Sequence, residues 1–470
     1  MDDEDAQVRS GNTTPDAADA GRGGRNPTEE GDGAESFTVT TGRTKAEVVT
    51  QLMEQVVERG NMWKAYERVR RNKGAPGADG IRVDDLKAWL QAYWPSVKAA
   101  LLAGSYLPRE VRAVDIPKPS GGVRTLGVPT VVDRLIQQAL HQVLQPIFEP
   151  RFSESSYGFR PGRNAWQAVQ AARDHVRRGK GWVADIDLAK FFDRVNHDVL
   201  MARVAREVKD GRVLGIIRRF LEAGLMRDGL VQQRREGTPQ GGPLSPLLSN
   251  IMLTDLDREL ERRGHAFARY ADDCNVYVGC RKAAEHAFET IGQYLESELK
   301  LQINRDKSAV ARASTRDFLG YGLLGREKAR LKVAAASVAR LRQKVKTLLR
   351  EKCGVGLAAI VEALNPLLRG WTSYFRHAEV KKVWQDLDGW IRRKLRCRMW
   401  RYAKRPHARA KALMKQGLTR ERARRSASNG RGAWWNSGAS HMNAAFPKSF
   451  FDRMGLVSLV DTHQRFQRHS

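Results

Sequence analysis

Phe267-Ala268-Arg269-Tyr270-Ala271-Asp272-Asp273-Cys274-Asn275-Val276-Tyr277-Val278 places two adjacent carboxylates inside a largely apolar segment. Consecutive residues of a strand point to opposite faces. Both acids can therefore serve one site only at a tight turn between two strands, with Asp272-Asp273 at the tip of a β-hairpin. Paired carboxylate oxygens suit a hard divalent cation. Two Mg²⁺ ions held by such oxygens can activate a 3′-hydroxyl and stabilise a leaving phosphate during in-line displacement.

A site of this kind needs a further carboxylate from a distant strand, and Trp182-Val183-Ala184-Asp185-Ile186-Asp187-Leu188-Ala189-Lys190-Phe191-Phe192-Asp193 supplies candidates. Asp185 and Asp187 are two apart and share a strand face, so period alone does not choose between them. Asp187 to Asp193, Thr238-Pro239-Gln240-Gly241-Gly242-Pro243-Leu244-Ser245-Pro246 and Tyr270 to Asp273 resemble, in order and spacing, three successive palm motifs of reverse transcriptases. That resemblance selects Asp187, with an aromatic five positions on, and leaves Asp185 as a supporting or capping residue. It implies catalysis by Asp187, Asp272 and Asp273, and two Mg²⁺ bound at Asp187, Leu188, Asp272 and Asp273.

By the same resemblance Phe192 is a steric gate, whose ring leaves no room for a 2′-hydroxyl and so favours deoxynucleotides through a clash. Phe191 is assigned to the core. The turn-rich Pro239 to Pro243 stretch has glycines that permit close backbone approach to a ligand, and the resemblance implies that Gln240 helps hold the incoming nucleotide. Upstream, Ile116 to Gly127 reads as a hairpin with a Ser-Gly-Gly turn and basic arms. Lys118 and Arg124 would grip a triphosphate there, the first as a point charge and the second by bidentate contact. Lys307, in Asn304-Arg305-Asp306-Lys307-Ser308, is the remaining nucleotide-binding candidate.

Residues outside the palm narrow the lineage. Asn61 to Tyr66, Asn72 to Gly80, Ser156 to Arg163, Asn304 to Ser308 and Phe318 to Tyr321 resemble, as an ordered set over about residues 45–325, the group II intron-encoded proteins. Beyond them Val338, Leu341, Val345 and Leu348 recur at helical spacing among Arg340, Arg342, Lys344 and Lys346, which predicts an amphipathic helix with a basic outer face. Leu364 to His377 is similar to the maturase domain of that family, the thumb counterpart that binds intron RNA. Trp371, Tyr374 and Phe375 share a helical face and read as core, whereas Arg369, Arg376 and His377 are RNA-binding candidates. Residues 401–432 hold 11 Lys and Arg against one acid, Glu421. That is an electrostatic footprint for phosphate backbone, with Arg405, Arg409, Lys411, Arg424 and Arg425 as DNA-binding candidates. Trp434 and Trp435 follow, suited either to base stacking or to a small core. Gly455 to Asp461 resembles a C-terminal DNA-contacting segment.

The chain has 470 residues and a net charge of +29, which points to nucleic acid. Its first 35 residues hold ten acids and three bases, so the rest is more basic still. That acidic, apolar-poor stretch is expected to be disordered and has neither the basic start nor the apolar run of a targeting peptide. No run of about 18 apolar residues exists, so no membrane partner is expected. Cys274, Cys280, Cys353 and Cys397 form no C-x-x-C pair, which argues against zinc and disulfide frameworks. His441 and Asn443, without such ligands around them, read as loop residues rather than as a His-Asn-His nuclease.

The expected fold is α+β, a right-hand polymerase with fingers and an antiparallel palm sheet, then a helical thumb. The expected divisions are an acidic tail 1–43, fingers and palm 44–325, a helical maturase domain 326–400 and a basic DNA-binding segment 401–470. The expected activity is RNA-directed DNA synthesis together with maturase action on a group II intron RNA, using dNTPs, a DNA primer and target DNA, in the cytoplasm at the nucleoid. Two other readings compete: a domesticated reverse transcriptase of retron or defence type, and a splicing factor without polymerase activity. Oligomeric state is not legible.

Overall fold

The computed structural model describes residues 51–117, 123–227, 230–232, 236–238, 241–325, 328–352 and 354–468. The expected acidic tail, Lys118, Pro239, Gln240 and Cys353 lie outside them. The chain divides into two compact units that separate between Arg316 and Asp317. The expected boundary at 325 falls slightly beyond that point.

In the unit that ends at Arg316, three helices come first: α1 (Leu52–Val56), α2 (Arg59–Asn72) and α3 (Leu86–Leu102). Glu58 caps α2 by accepting from the Asn61 backbone N–H at 2.8 Å, satisfying a donor the helix leaves unpaired. The basic hairpin is β1 (Val111–Pro117) and β2 (Val123–Val128), antiparallel, with Pro117 opposite Val123. β1 also pairs in parallel with β4 (Leu225–Arg227), which is antiparallel to β5 (Leu230–Gln232). Behind the hairpin runs α4 (Val131–Phe148), capped by Thr130 and buried along most of its length.

The palm sheet has the order β6 (Ala266–Tyr270), β7 (Asp273–Val278), β3 (Trp182–Ile186), β8 (Ala309–Arg312), all antiparallel. Packed against it are α5 (Ala165–Arg177) and α10 (Arg281–Glu298). Between β3 and β6 the chain forms α6 (Phe191–Arg194), α7 (His197–Glu207), α8 (Gly211–Glu222) and α9 (Ser245–Arg262). One apolar core runs through this unit, including Ile186, Phe191, Leu247, Met252, Phe267, Val276 and Ile291.

The unit from Asp317 onward opens with a small antiparallel sheet of β9 (Asp317–Phe318), β10 (Tyr321–Leu324) and β11 (Arg330–Val333). Nine helices follow among the described residues: α11 (Ala335–Glu351), α12 (Leu357–Tyr374), α13 (Lys382–Tyr402), α14 (Pro406–Lys415), α15 (Arg420–Ala427), α16 (Ala433–Gly438), α17 (Ser440–Ala445), α18 (Lys448–Arg453) and α19 (Leu459–Arg468). The buried stripe of α11 is Leu341, Val345 and Leu349, not Leu348, because a strict four-residue step keeps that row against the neighbouring helix. The expected division at 400 falls inside α13. Residues beyond it pack back on α13: Asp388 accepts from the Leu459 and Val460 backbone N–H groups at 2.9 and 3.1 Å, and the His463 ring stacks on Trp384 at 4.4 Å. Gly455 to Asp461 is therefore a docked segment, held further by Asn365, which donates to Gly455 O and accepts from Val457 N–H. His441 and Asn443 sit on α17 and not in a loop, with His441 buried beside Trp400.

Candidate active site

Tyr270 pairs with Asp273 across a two-residue turn, so Ala271-Asp272 is the tip of the β6–β7 hairpin. Ala271 has φ of 58°, a left-handed conformation that costs a non-glycine residue and persists only where its surroundings hold it. Asp185 lies opposite Asn275 in the β3–β7 ladder. Opposed residues share a face, and alternation adds Asp273 to it. Asp187 follows directly after β3.

Two elements fix Asp187. The Ser308 hydroxyl accepts from the Asp187 backbone N–H at 2.9 Å and donates to its carbonyl at 3.2 Å, and Asn304 N–H donates to the same carbonyl at 2.8 Å. Leu188, buried, bridges to Ile303. The Lys307 ammonium lies 3.6 Å from the Asp187 carboxylate. Asp185 is ion-paired at 2.5 Å with Arg316, as a supporting acid would be. Burial pushes its carboxyl up even so, with the charge of Asp187 adding to the rise. Burial, then the charges of Asp185, Asp272 and Asp187, push Asp273 up to about 8.

This cluster has more acceptors than donors, for the buried Asn275 Oδ1 also has no hydrogen-bond partner. Among the described residues no three acid, His or Cys side chains converge tightly enough to encage an ion. The donor set still fits a divalent cation: hard oxygens at the rim of one sheet face, with a carboxyl whose raised pKa a dication would reverse.

Phe191 is buried and its ring meets that of Phe192 edge-on at 5.2 Å, while Phe192 stays partly accessible. Thr238 N–H donates to Phe192 O at 2.6 Å and Gly237 N–H to Val195 O at 2.8 Å. Gly237 is forced: φ is 85°, and a Cβ there would lie 2.8 Å from Phe192 O. The glycines that follow pass equally close to other elements, Gly241 to Gly127 O and Gly242 to the Gln137 side chain. The structure thus brings the Phe192 turn, the Thr238 segment, β2 and α4 together. Arg124 belongs to β2, with only its backbone described.

Sequence reasoning missed Arg269. It is fully buried, forms a two-point ion pair with Asp257 of α9 at 2.6 and 2.5 Å, and donates to Asn250 Oδ1 at 3.1 Å and Ala271 O at 2.8 Å. The signal was present, since a cation in an otherwise apolar strand demands a partner.

In the other unit Arg369 and Arg376 are exposed and His377 is half-buried, accepting from Arg376 Nε at 3.0 Å. Trp371 packs on Trp384 and Phe375, as core aromatics do. Arg405, Lys411, Arg424 and Arg425 are exposed, and Arg425 meets Glu421 at 3.4 Å. Arg409 is more committed, donating to Ala403 O at 2.8 Å with its guanidinium 4.8 Å from the Trp400 ring. Trp434 and Trp435 are 40% and 46% exposed, the first beneath Arg393 and Lys394 and the second beneath Arg431. No helix among the described residues is long and apolar enough to cross a membrane.

Residues 116–323 match the family model of reverse transcriptase (RNA-dependent DNA polymerase), and residues 338–417 match that of the group II intron maturase-specific domain. Protein YkfC of Escherichia coli (strain K12) is 35% identical over 54% of this chain and 77% of its own length. Group II intron-encoded protein LtrA of Lactococcus lactis subsp. cremoris is 27% identical over 61% of this chain, which spans 58% of that relative. A telomerase structure from Candida albicans superposes with a TM-score of 0.40 at 14% identity, over 65% of this chain and 63% of that one, a likeness too loose to place residues. Reverse transcriptases generally use divalent metal ions. With both domains matched in order, the chain belongs to the group II intron-encoded reverse transcriptase and maturase family.

Proposed function

We propose that this chain is an RNA-directed DNA polymerase and maturase that binds a group II intron RNA, assists its splicing and copies it into DNA during intron mobility. The observation that supports the reading is the register of β7 on β3, which sets Asp185 opposite Asn275 and so on the sheet face of Asp273, with Asp187 just past the end of β3 and Asp272 in the adjoining turn. Asp187, Asp272 and Asp273, with Leu188, would hold two Mg²⁺. Ions bound there would lower the pKa of a primer 3′-hydroxyl and neutralise charge on the departing pyrophosphate.

The chain's own groups do the rest. Phe192, held through its carbonyl by Thr238, lays its ring under the sugar and excludes a 2′-hydroxyl. Lys118 and Arg124 grip the triphosphate, Gln240 steadies the nucleotide, and Lys307 trades its contact with Asp187 for a phosphate oxygen when a dNTP enters. Arg369, Arg376 and His377 meet intron RNA. Arg405, Lys411, Arg424 and Arg425 meet the backbone of target DNA, while Arg409 steadies the start of α14. A cytoplasmic, nucleoid-associated location follows from those partners.

The test is primer extension on an annealed RNA template with Mg²⁺ and dNTPs, beside a splicing assay of a group II intron taken from the DNA flanking the gene. Template-dependent extension and faster splicing support the reading. Splicing assistance without extension would favour a pure splicing factor, and extension without any intron RNA affinity would favour a domesticated enzyme.

A further inference from the structure

The Ala271-Asp272 turn is gripped from two sides, by groups that the palm motifs do not include. On one side, residues 155–158 run alongside β6: Arg269 N–H donates to Ser155 O and Tyr157 N–H to Arg269 O, both at 2.9 Å. This brings Gly158 against the turn so closely that a Cβ there would lie 2.4 Å from Ala271 N and 3.0 Å from Tyr270 C. Only glycine fits. That segment is itself anchored by Arg160, buried, which donates to Glu149 at 2.8 Å and to Ser156 O at 2.7 Å.

On the other side, the Arg269 guanidinium donates to Ala271 O while Asp257 of α9 fixes its opposite edge. Asn250, also on α9 and 1% exposed, spans both sides: its Nδ2 donates to Gly158 O at 2.8 Å and its Oδ1 accepts from Arg269 at 3.1 Å. Of these bonds, Arg269 to Ala271 O holds the turn carbonyl and Asn250 to Gly158 O holds its flank. A buried ion pair is a weak route to stability, since desolvation offsets its attraction. What it supplies here is geometry.

We propose that Gly158, Asn250 and Arg269 form a clamp that fixes the strained Ala271-Asp272 turn, acting as positioning residues that set where the Asp272 and Asp273 carboxylates stand for metal and substrate. The inference rests on the polymerase reading of the site. Because Ala271 is held at a φ of 58°, releasing the clamp lets the turn relax, and both acids move with it.

The test uses full-length protein with Asn250→Ala, which leaves the Arg269–Asp257 pair whole, and Gly158→Ala. Four quantities are read on folded, monodisperse protein: Mn²⁺ affinity of the free protein by electron paramagnetic resonance, kcat, KM for dNTP, and primer-template affinity. The clamp predicts weaker Mn²⁺ binding and a kcat lower by about tenfold to a hundredfold, as for a misplacement near 1 Å, with KM for dNTP and primer-template affinity unchanged. Arg269→Lys, which keeps the charge facing Asp257 but loses the bonds to both Ala271 O and Asn250, is affected at least as strongly as Asn250→Ala. If Asn250→Ala and Gly158→Ala keep wild-type kcat and Mn²⁺ affinity, the clamp is refuted and only packing remains. A wild type that binds Mn²⁺ through Asp272, loses that binding in Asn250→Ala, yet extends no primer would instead overturn the polymerase reading and leave the clamp standing.

Discussion

The cations around the palm turn and those over the tryptophans beyond Asp317 are used in opposite ways. Around the palm the informative arginines are paired with carboxylates: Arg269 meets Asp257 and Arg160 meets Glu149, both arginines buried, and the partly exposed Arg316 meets Asp185. From Asp317 onward several lie over tryptophan: Arg342 and Lys394 over Trp390, Arg393 and Lys394 over Trp434, Arg431 over Trp435. Arg396 and Arg398 differ: the first is buried and donates to Phe446 O, with burial lowering its pKa to about 10, and the second donates to Leu349 O at 2.7 Å. Buried, paired cations sacrifice hydration and give fixed geometry. Cations held over aromatic rings stay open to phosphate. One part of the chain is thus built to place atoms, and the other to hold a polyanion.

Substitutions can break that contrast. The largest effect is expected from Asp187→Asn, since an amide cannot supply the charge that retains Mg²⁺; extension should fall below about one hundredth of wild type, with RNA affinity intact. Next, Arg369→Ala with Arg376→Ala should weaken intron RNA binding about tenfold and lower the slope of log affinity against log salt by about one to two, leaving extension of a short annealed primer alone. A salt slope equal to wild type would move the RNA face elsewhere. Phe192→Ala should keep activity while raising ribonucleotide incorporation, because the ring acts by exclusion; unchanged sugar discrimination would place the gate on another residue.

The smallest effect concerns Asp273. Its carboxyl ionises near 3.8 when unfolded and near 8 in the fold, so between those values the folded protein keeps a proton that the unfolded chain has released. Stability from this group is complete below the lower value and lost as pH rises through the upper one. Asp273→Asn should therefore flatten the fall of Tm between pH 5 and 8, and Mg²⁺ should flatten it in wild type by replacing the proton. A variant with the wild-type pH slope would show that the burden lies elsewhere.

Much of the first unit was legible because its motifs are local. The hairpin at Tyr270 to Asp273, the strand ahead of Asp187 and the burial of Phe191 follow from period, turn chemistry and a resemblance carried by contiguous residues, although the tip is Ala271-Asp272 and not Asp272-Asp273, because Asp273 already pairs with Tyr270 as the first residue of β7. The clamp was not legible, for Gly158, Asn250, Asp257 and Arg269 are brought together only by the packing of α9 and of residues 155–158 on β6. The basic run after residue 400 misled for a related reason. Its charge suggested a separate segment, whereas Leu459, Phe451 and His463 are buried on the same helices that precede it, a tertiary fact with no signature in charge.

The most direct test reads both halves of the contrast in one preparation: Asp272→Asn and wild-type full-length protein, each assayed for dNTP incorporation on an RNA template and for intron RNA affinity at two salt concentrations. The account predicts that Asp272→Asn loses incorporation and keeps wild-type RNA affinity and salt slope. Incorporation by Asp272→Asn at more than a few per cent of wild type, or a matching loss of RNA binding, would contradict it.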